Sequence, residues 1–149
     1  DEPDINKEDI INLNNLMVTE NAELGTLAAK IEDDKMLNNK NVVKVITDKK
    51  LVENNFPTAL NFTRDNPSID NQNIYHHIGI YSYKISALKK FVSLEQTSNE
   101  KINKLEQLRA LDNMLKINVA LARSSPIGVD TEEDYLAIKK IMEYKISNE

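Results

Sequence analysis

The sequence predicts an α/β fold. Three runs read as strands: 41–47 (NVVKVIT), 78–83 (IGIYSY) and 116–122 (KINVALA). A helical pattern separates the last two, and another follows the third. That alternation through the second half is the mark of an α/β architecture. At 149 residues the chain is long enough for one domain with a real hydrophobic core.

Along the chain, Asn6 caps a first helix, with Asp9 at its third position and Ile10, Ile11, Leu13, Leu16 and Met17 as its apolar set. Thr26 to Ala29 is a weakly marked short strand. The strand at 59–64 (ALNFTR) is the hairpin partner of 41–47, across the loop 48–57. The stretch 65–73 is turn-like, with Pro67 among Asn and Asp. Ser86 caps a short helix carrying Leu88, Phe91 and Val92. Thr97 with Glu100 three residues later forms a capping box, and one helix runs on to about Leu115. Its buried stripe is Ile102, Leu105, Leu108, Leu111 and Leu115. Pro126 and Gly128 mark a loop. Asp130 or Thr131 caps the last helix, whose apolar face is Leu136, Ile138, Ile141 and Met142.

Composition excludes several functions. The net charge is −5 and no long basic run exists, so nucleic-acid binding has no electrostatic support. There is no cysteine, hence no disulfide framework and no thiolate chemistry. No stretch of 18 apolar residues occurs, and nothing in the sequence spans a membrane. A cytoplasmic location is the default expectation. The three glycines, Gly25, Gly79 and Gly128, form no phosphate-cradling loop. The chain opens Asp1-Glu2-Pro3 without Met and reads as cut from a longer one.

Several polar residues are candidates for chemistry. Asp1 and Asp130 lie on loops, and two convergent carboxylates suit Mg²⁺, a hard ion that prefers oxygen. Asp130 is equally a helix cap. His76 and His77 precede a strand, and with no Cys and no third His they make no zinc set. A histidine there can donate to an acidic substrate without being a base. Gly79 suggests close approach of backbone or ligand. Tyr81 and Tyr83 share one side of a regular strand. Glu106 and Gln107 suit sugar hydroxyls, and Arg109 suits a carboxylate or an acidic partner. Arg64 and Arg123 end strands, where α/β enzymes place binding groups, and an arginine fork fits carboxylate or phosphate.

The segments HHIGIYSYKISALKKFVSL, EKINKLEQLRAL and GVDTEEDYLAI together resemble the 3-deoxy-manno-octulosonate cytidylyltransferases. ELGTLAAKI, NNKNVVKVITDK and ALNFTR resemble the same family in the same order, and the opening DEP resembles the end of its Gln-Gly-Asp-Glu-Pro segment. The resemblance covers nearly the whole chain; the LEQLR and GVDT-ED combination is its specific part. It implies a three-layer α/β sandwich of the nucleotide-diphospho-sugar transferase type and a partial cytidylyltransferase domain over 1–149. That domain would hold the sugar-binding and dimer-forming part, with an antiparallel insertion near 41–83.

The resemblance further implies a homodimeric, Mg²⁺-dependent transferase of lipopolysaccharide biosynthesis. It would convert CTP and 3-deoxy-D-manno-octulosonate (Kdo) to CMP-Kdo and pyrophosphate. Asp1 and Asp130 fall at the catalytic, metal-binding acids. His77, Tyr81, Glu106 and Gln107 fall on the Kdo side, and Arg64 at a strand-end arginine that holds the acidic sugar. Two departures stand out. Glu132 follows GVDT where the family usually has Pro, and the family's amino-terminal CTP loop and the Gln-Gly before Asp1 are absent from the sequence. The absence leads to the expectation of an exposed sheet edge and no CTP turnover by these residues alone. The alternatives are a cytidylyltransferase for another acidic sugar and an inactive assembly module.

Overall fold

The computed structural model describes residues 5–67, 73–123 and 132–146. The first helix, α1 (Lys7–Thr19), starts at Asn6, whose side chain accepts from the Glu8 N–H at 2.9 Å. Leu13, Leu16 and Met17 form its buried face, while Ile10 and Ile11 are exposed, contrary to the apolar set read from the sequence. Asp9 lies inward too. Its carboxylate is buried and accepts the backbone N–H of Arg123 at 3.2 and 3.3 Å instead of serving its own cap.

The sheet has five strands, β1 (Leu24–Ala29), β2 (Lys44–Thr47), β3 (Ala59–Thr63), β4 (Ile74–Tyr83) and β5 (Ile117–Leu121), in the spatial order β3-β2-β4-β1-β5. The pair β1 and β5 is parallel; the other pairs are antiparallel. The expected hairpin forms, β2 with β3, and β2 also borders the first part of β4. A short helix, α2 (Lys35–Asn38), precedes β2. The strand β4 is longer than the apolar run suggested, so His76 and His77 lie within it rather than before it. The isolated bridge Thr58 to Asn118 and the Val119 N–H to Pro57 C=O bond of 2.8 Å bring the lead-in to β3 against β5.

Two hydrophobic clusters lie on the sheet. One joins α1 to Leu27, Ala29, Ile78, Ala120 and Ala122. The other gathers Leu24, Ala28, Phe62, Tyr75, Ile117 and Val119 with Phe91, Leu105 and Leu108 from the helical segment that follows β4. Period-2 alternation along β1 feeds both. Helices therefore cover both faces of a mixed sheet.

Those helices are α3 (Ile85–Ser93), α4 (Ser98–Asn103) and α5 (Gln107–Asp112). Ser86 does not cap α3; Lys84 holds the cap position, and Leu88 and Val92 are exposed while Phe91 is buried. Thr97 caps α4 as expected, accepting from the Glu100 N–H at 3.1 Å. The single helix expected from 97 to 115 does not form. Lys104 adopts a left-handed conformation with φ 53° and ends α4, so Leu105 turns into the core while Ile102 is left 79% exposed. Nothing about a lysine announces such a break. The last helix, α6 (Glu132–Ile146), buries Ile138 and exposes Leu136 and Met142. Its expected caps, Asp130 and Thr131, lie outside the described residues, as does Asp1. No described helix is long and apolar enough to cross a membrane.

Gly25 is where α1 and β1 touch most closely. A Cβ there would lie 2.7 Å from both Met17 Sδ and Phe56 Cζ and 3.1 Å from Leu13 Cδ1. Gly25→Ala is therefore expected to lower stability by about 1–2 kcal/mol through overpacking. Urea titration would then show a lower midpoint at unchanged slope, and an unchanged midpoint would refute this close packing.

Candidate functional site

One face of β4 carries a row of rings. Phe62 meets His77 edge-on at 5.0 Å, His77 meets Tyr81 at 5.5 Å, Tyr81 meets Tyr83 at 6.2 Å, and Tyr83 meets Phe91 at 5.9 Å. The row ends at Arg109, whose guanidinium lies 4.8 Å over Phe91. Residues 77, 81 and 83 share this face because a strand alternates with period 2.

The electrostatics of the row keep it neutral. Burial holds His77 at a pKa of about 3, with His76 adding to the effect. The ring is thus uncharged at neutral pH and offers no positive charge to a substrate carboxylate. Burial also pushes the Tyr81 phenol well above its usual range, helped by Tyr83 and Glu106. Tyr83 moves the same way by burial and by Glu106, against the opposing pull of Arg109. Both phenols remain protonated donors. Glu106, just before α5, therefore lies close enough to β4 to act on both.

Gln107 follows at the first position of α5. It is 6% exposed, and its amide makes no hydrogen bond among the described residues. His77, also 6% exposed, uses Nε2 toward Thr26 at 3.0 Å, and its Nδ1 makes no hydrogen bond among the described residues. Buried polar atoms are nearly always paired, so two such groups need a reason.

Arg64 stands apart. Its guanidinium donates to the carbonyls of Lys40 at 3.2 Å and Asn41 at 3.4 Å and makes no hydrogen bond to His77, Tyr81, Glu106 or Gln107. Its own carbonyl accepts from Lys44 Nζ at 2.6 Å. Lys44 is 0% exposed and also donates to the carbonyls of Asn39 at 3.0 Å and Val42 at 2.9 Å. All three ammonium protons are used. Burial lowers the Lys44 pKa; Asp65 opposes this and Arg64 adds to it. A lysine inside a β-branched run was the sequence signal for this anchor, and it passed unremarked. Thr26, buried beside His77, gave no signal beyond a polar residue in a run of small apolar ones.

The structure brings His77, Tyr81 and Glu106 into one neighbourhood and leaves Arg64 tied to the loop before β2. Asp1 and Asp130 lie outside the described residues. Among the described residues no group of three or more His, Cys, Asp or Glu side chains could hold a metal. Gly79 is exposed, and a Cβ added there meets nothing within 4 Å, so no packing of the described chain demands glycine. A cavity of about 520 Å³ at the α4–α5 corner includes Glu106 with Glu100, Lys101, Lys104 and Arg109. Another, of about 420 Å³, lies between α1 and the end of β5 and contains none of the candidate residues inferred from the resemblance.

Arg109 shapes that corner. Its Nε donates to Glu100 Oε2 at 2.8 Å and its Nη2 to Glu100 Oε1, a largely buried fork. Glu100 thus turns to Arg109 rather than closing its own capping box. The Arg109 hydrogen bonds hold the Glu100 carboxyl below its usual value, with Gln96 and the Thr97 cap helping against desolvation.

Three comparisons bear on this geometry. Residues 1–117 match the family model described as cytidylyltransferase. The chain is 39% identical over 142 residues to the 3-deoxy-manno-octulosonate cytidylyltransferase of Bartonella bacilliformis, covering 95% of this chain and 58% of that protein. It is 42% identical to the protein of the same name from Thermodesulfovibrio yellowstonii, covering 95% and 57%. The chain therefore spans less than three fifths of these relatives. In fold it is similar to the CMP:2-keto-3-deoxy-manno-octonic acid synthetase solved with CTP, at TM-score 0.84 and 24% identity, covering 97% of this chain and 59% of that one.

The Glu100–Arg109 pair has a testable pH signature. A carboxyl whose folded pKa is depressed adds stability that is present above its usual value of 4.5 and lost as pH falls through the folded pKa. Glu100→Gln should therefore cost most at neutral pH, with the gap to wild type closing in acid. Arg109→Met should cost about 3 kcal/mol by leaving the carboxylate buried and unpaired. A gap between wild type and Glu100→Gln that stays constant across pH in urea unfolding would rule out the ion pair as its source.

Proposed function

Because the chain belongs to the cytidylyltransferase family, we propose that it carries the sugar-binding and dimer-forming region of an enzyme that transfers the cytidylyl group of CTP to Kdo. The products are CMP-Kdo, for lipopolysaccharide synthesis, and pyrophosphate. The observation that supports a sugar site here is a pair of buried groups with no hydrogen bond among the described residues, His77 Nδ1 and the Gln107 amide. His77 packs on the Tyr81 ring, and Gln107 follows Glu106, which acts on both protonated phenols. A polyhydroxylated ligand satisfies such groups, because each hydroxyl both donates and accepts.

The residues divide the work by charge. His77 is neutral, so the sugar carboxylate falls to Arg64, whose fork fits it once released from the carbonyls of Lys40 and Asn41. Tyr81 donates to a sugar oxygen, Glu106 accepts from a hydroxyl, and Gln107 does either. The Kdo hydroxyl on the anomeric carbon gives up its proton to solvent as its oxygen forms the new bond to the α-phosphorus of CTP. The bond from that phosphorus to the β-phosphate oxygen breaks, and pyrophosphate leaves. Asp1 and Asp130 are the acids assigned to Mg²⁺, and carboxylate oxygens suit that ion. When bound, it supplies charge neutralisation for the phosphates. The enzyme acts as a homodimer, over one domain in which 41–83 includes an antiparallel insertion.

The test is synthesis by the protein expressed from the complete reading frame. CTP, Kdo and Mg²⁺ should give CMP-Kdo with stoichiometric pyrophosphate, and chelation should stop it. Asp130→Asn should lower kcat roughly 100-fold. Equal turnover with a sialic acid, or none with Kdo, would sink the reading.

A further inference from the structure

The pairing of β1 with β4 is interrupted. Thr26 pairs with Tyr81 but Leu27 pairs with Ile78, which leaves Gly79 and Ile80 bulged out of the ladder. A two-residue excess preserves the alternation, so His77 and Tyr81 remain on one face while the strand between them is displaced. The Thr26 side chain, with no exposed surface, fills the interruption. Its Oγ1 lies 2.7 Å from the Ile80 carbonyl, 3.3 Å from the Ile78 carbonyl and 3.0 Å from His77 Nε2.

Those distances fix where the protons are. A hydroxyl has one proton, and a carbonyl can only accept. The short contact to Ile80 therefore takes the threonine proton. The contact to His77 must run the other way, with Nε2–H donating to Oγ1. The His77 ring is then the Nε2-protonated tautomer, and its lone pair is on Nδ1, the atom with no hydrogen bond among the described residues.

We infer that Thr26 is a positioning residue of the sugar site: it pins the β4 bulge and sets His77 as a hydrogen-bond acceptor through Nδ1, for a substrate hydroxyl rather than a carboxylate. This rests on the Kdo reading above for the identity of the ligand, but not for the tautomer. It reverses the donor role that the sequence suggested for histidine here. The burial that keeps His77 neutral is consistent with it. The hydroxyl of a sugar satisfies an acceptor; a carboxylate facing the Nδ1 lone pair would be repelled.

The experiment uses the protein from the complete reading frame, labelled with ¹⁵N-histidine, with His77 assigned by its loss in His77→Asn. The expected wild-type spectrum is a single neutral ring protonated at Nε2, and Thr26→Ser should keep it. Thr26→Val should mix the tautomers. In turnover, Thr26→Val should raise KM for Kdo about tenfold while leaving KM for CTP within about twofold, and Thr26→Ser should stay within about threefold of wild type. A wild-type ring protonated at Nδ1 overturns the inference whether or not Thr26→Val folds. So does a Thr26→Val protein whose spectrum and KM for Kdo match wild type, or one that loses both substrates equally. A wild-type protein that binds no Kdo overturns the functional reading and the role given to Nδ1. The spectrum separates that failure from failure of the pin.

Discussion

β1 is hydrogen-bonded along both edges, to β4 and β5, and buried on both faces. A strand in that position can carry little bulk, because two layers of helices must close over it. LGTLAA meets the demand. Leu24 and Ala28 feed one cluster, Leu27 and Ala29 the other, and Gly25 lets α1 come within van der Waals reach. Burial of apolar area at roughly 25 cal/mol per Å² supplies the driving force on both sides at once. The same constraint explains why the polar member of the strand, Thr26, had to find its partners inside the sheet. The β4 bulge provides them, and the bulge in turn sets the spacing between His77 and Tyr81. The core strand and the candidate site are thus one arrangement.

Much of this was legible in the residues. The β-branched runs located β2 and β5, and the 3.6-residue period with Asn6 as cap located α1, because both signals come from local geometry. The predicted hairpin of β2 and β3 followed from two runs separated by a polar loop. The helix from 97 to 115 was misread because its apolar spacing continues through Lys104. The break arises from tertiary demand: Leu105 must enter the core and Arg109 must reach back to Glu100. Similarly, β4 begins earlier than its apolar run, since Ile74 to His76 gain their place by pairing with β2.

The site was legible only in part. Tyr81, Glu106 and Gln107 came from segments whose residue types already suggest sugar contacts. The pinning of His77 by Thr26 could not be read, as the two are 51 positions apart and meet only through a register shift. Arg64 was read from its place at the end of a strand. Its contacts with the loop before β2 lie beside Lys44, whose ammonium gathers carbonyls from positions 39, 42 and 64. A single buried cation thereby holds the loop and the strand end in one place, which is work that sequence spacing does not reveal.

The buried polar side chains follow a rule that isolates the site. Asp9 holds the backbone of Arg123, Asn118 the carbonyl of Phe56 at 2.6 Å, Thr47 that of Lys49 at 2.7 Å, and Lys44 and Thr26 the carbonyls already named. Glu100 has Arg109. Each is satisfied, and each ties a loop, a bulge or a helix corner to the core. Among the described residues Gln107 breaks the rule, as does Nδ1 of His77. An unsatisfied buried polar group costs about 1–3 kcal/mol, which folding alone gives no reason to bear. Both exceptions lie on β4 and at the start of α5, where Tyr81, Tyr83 and Glu106 also meet. Among the described residues these two are the buried polar groups left open, and a place where local rules of stability yield is where function is expected.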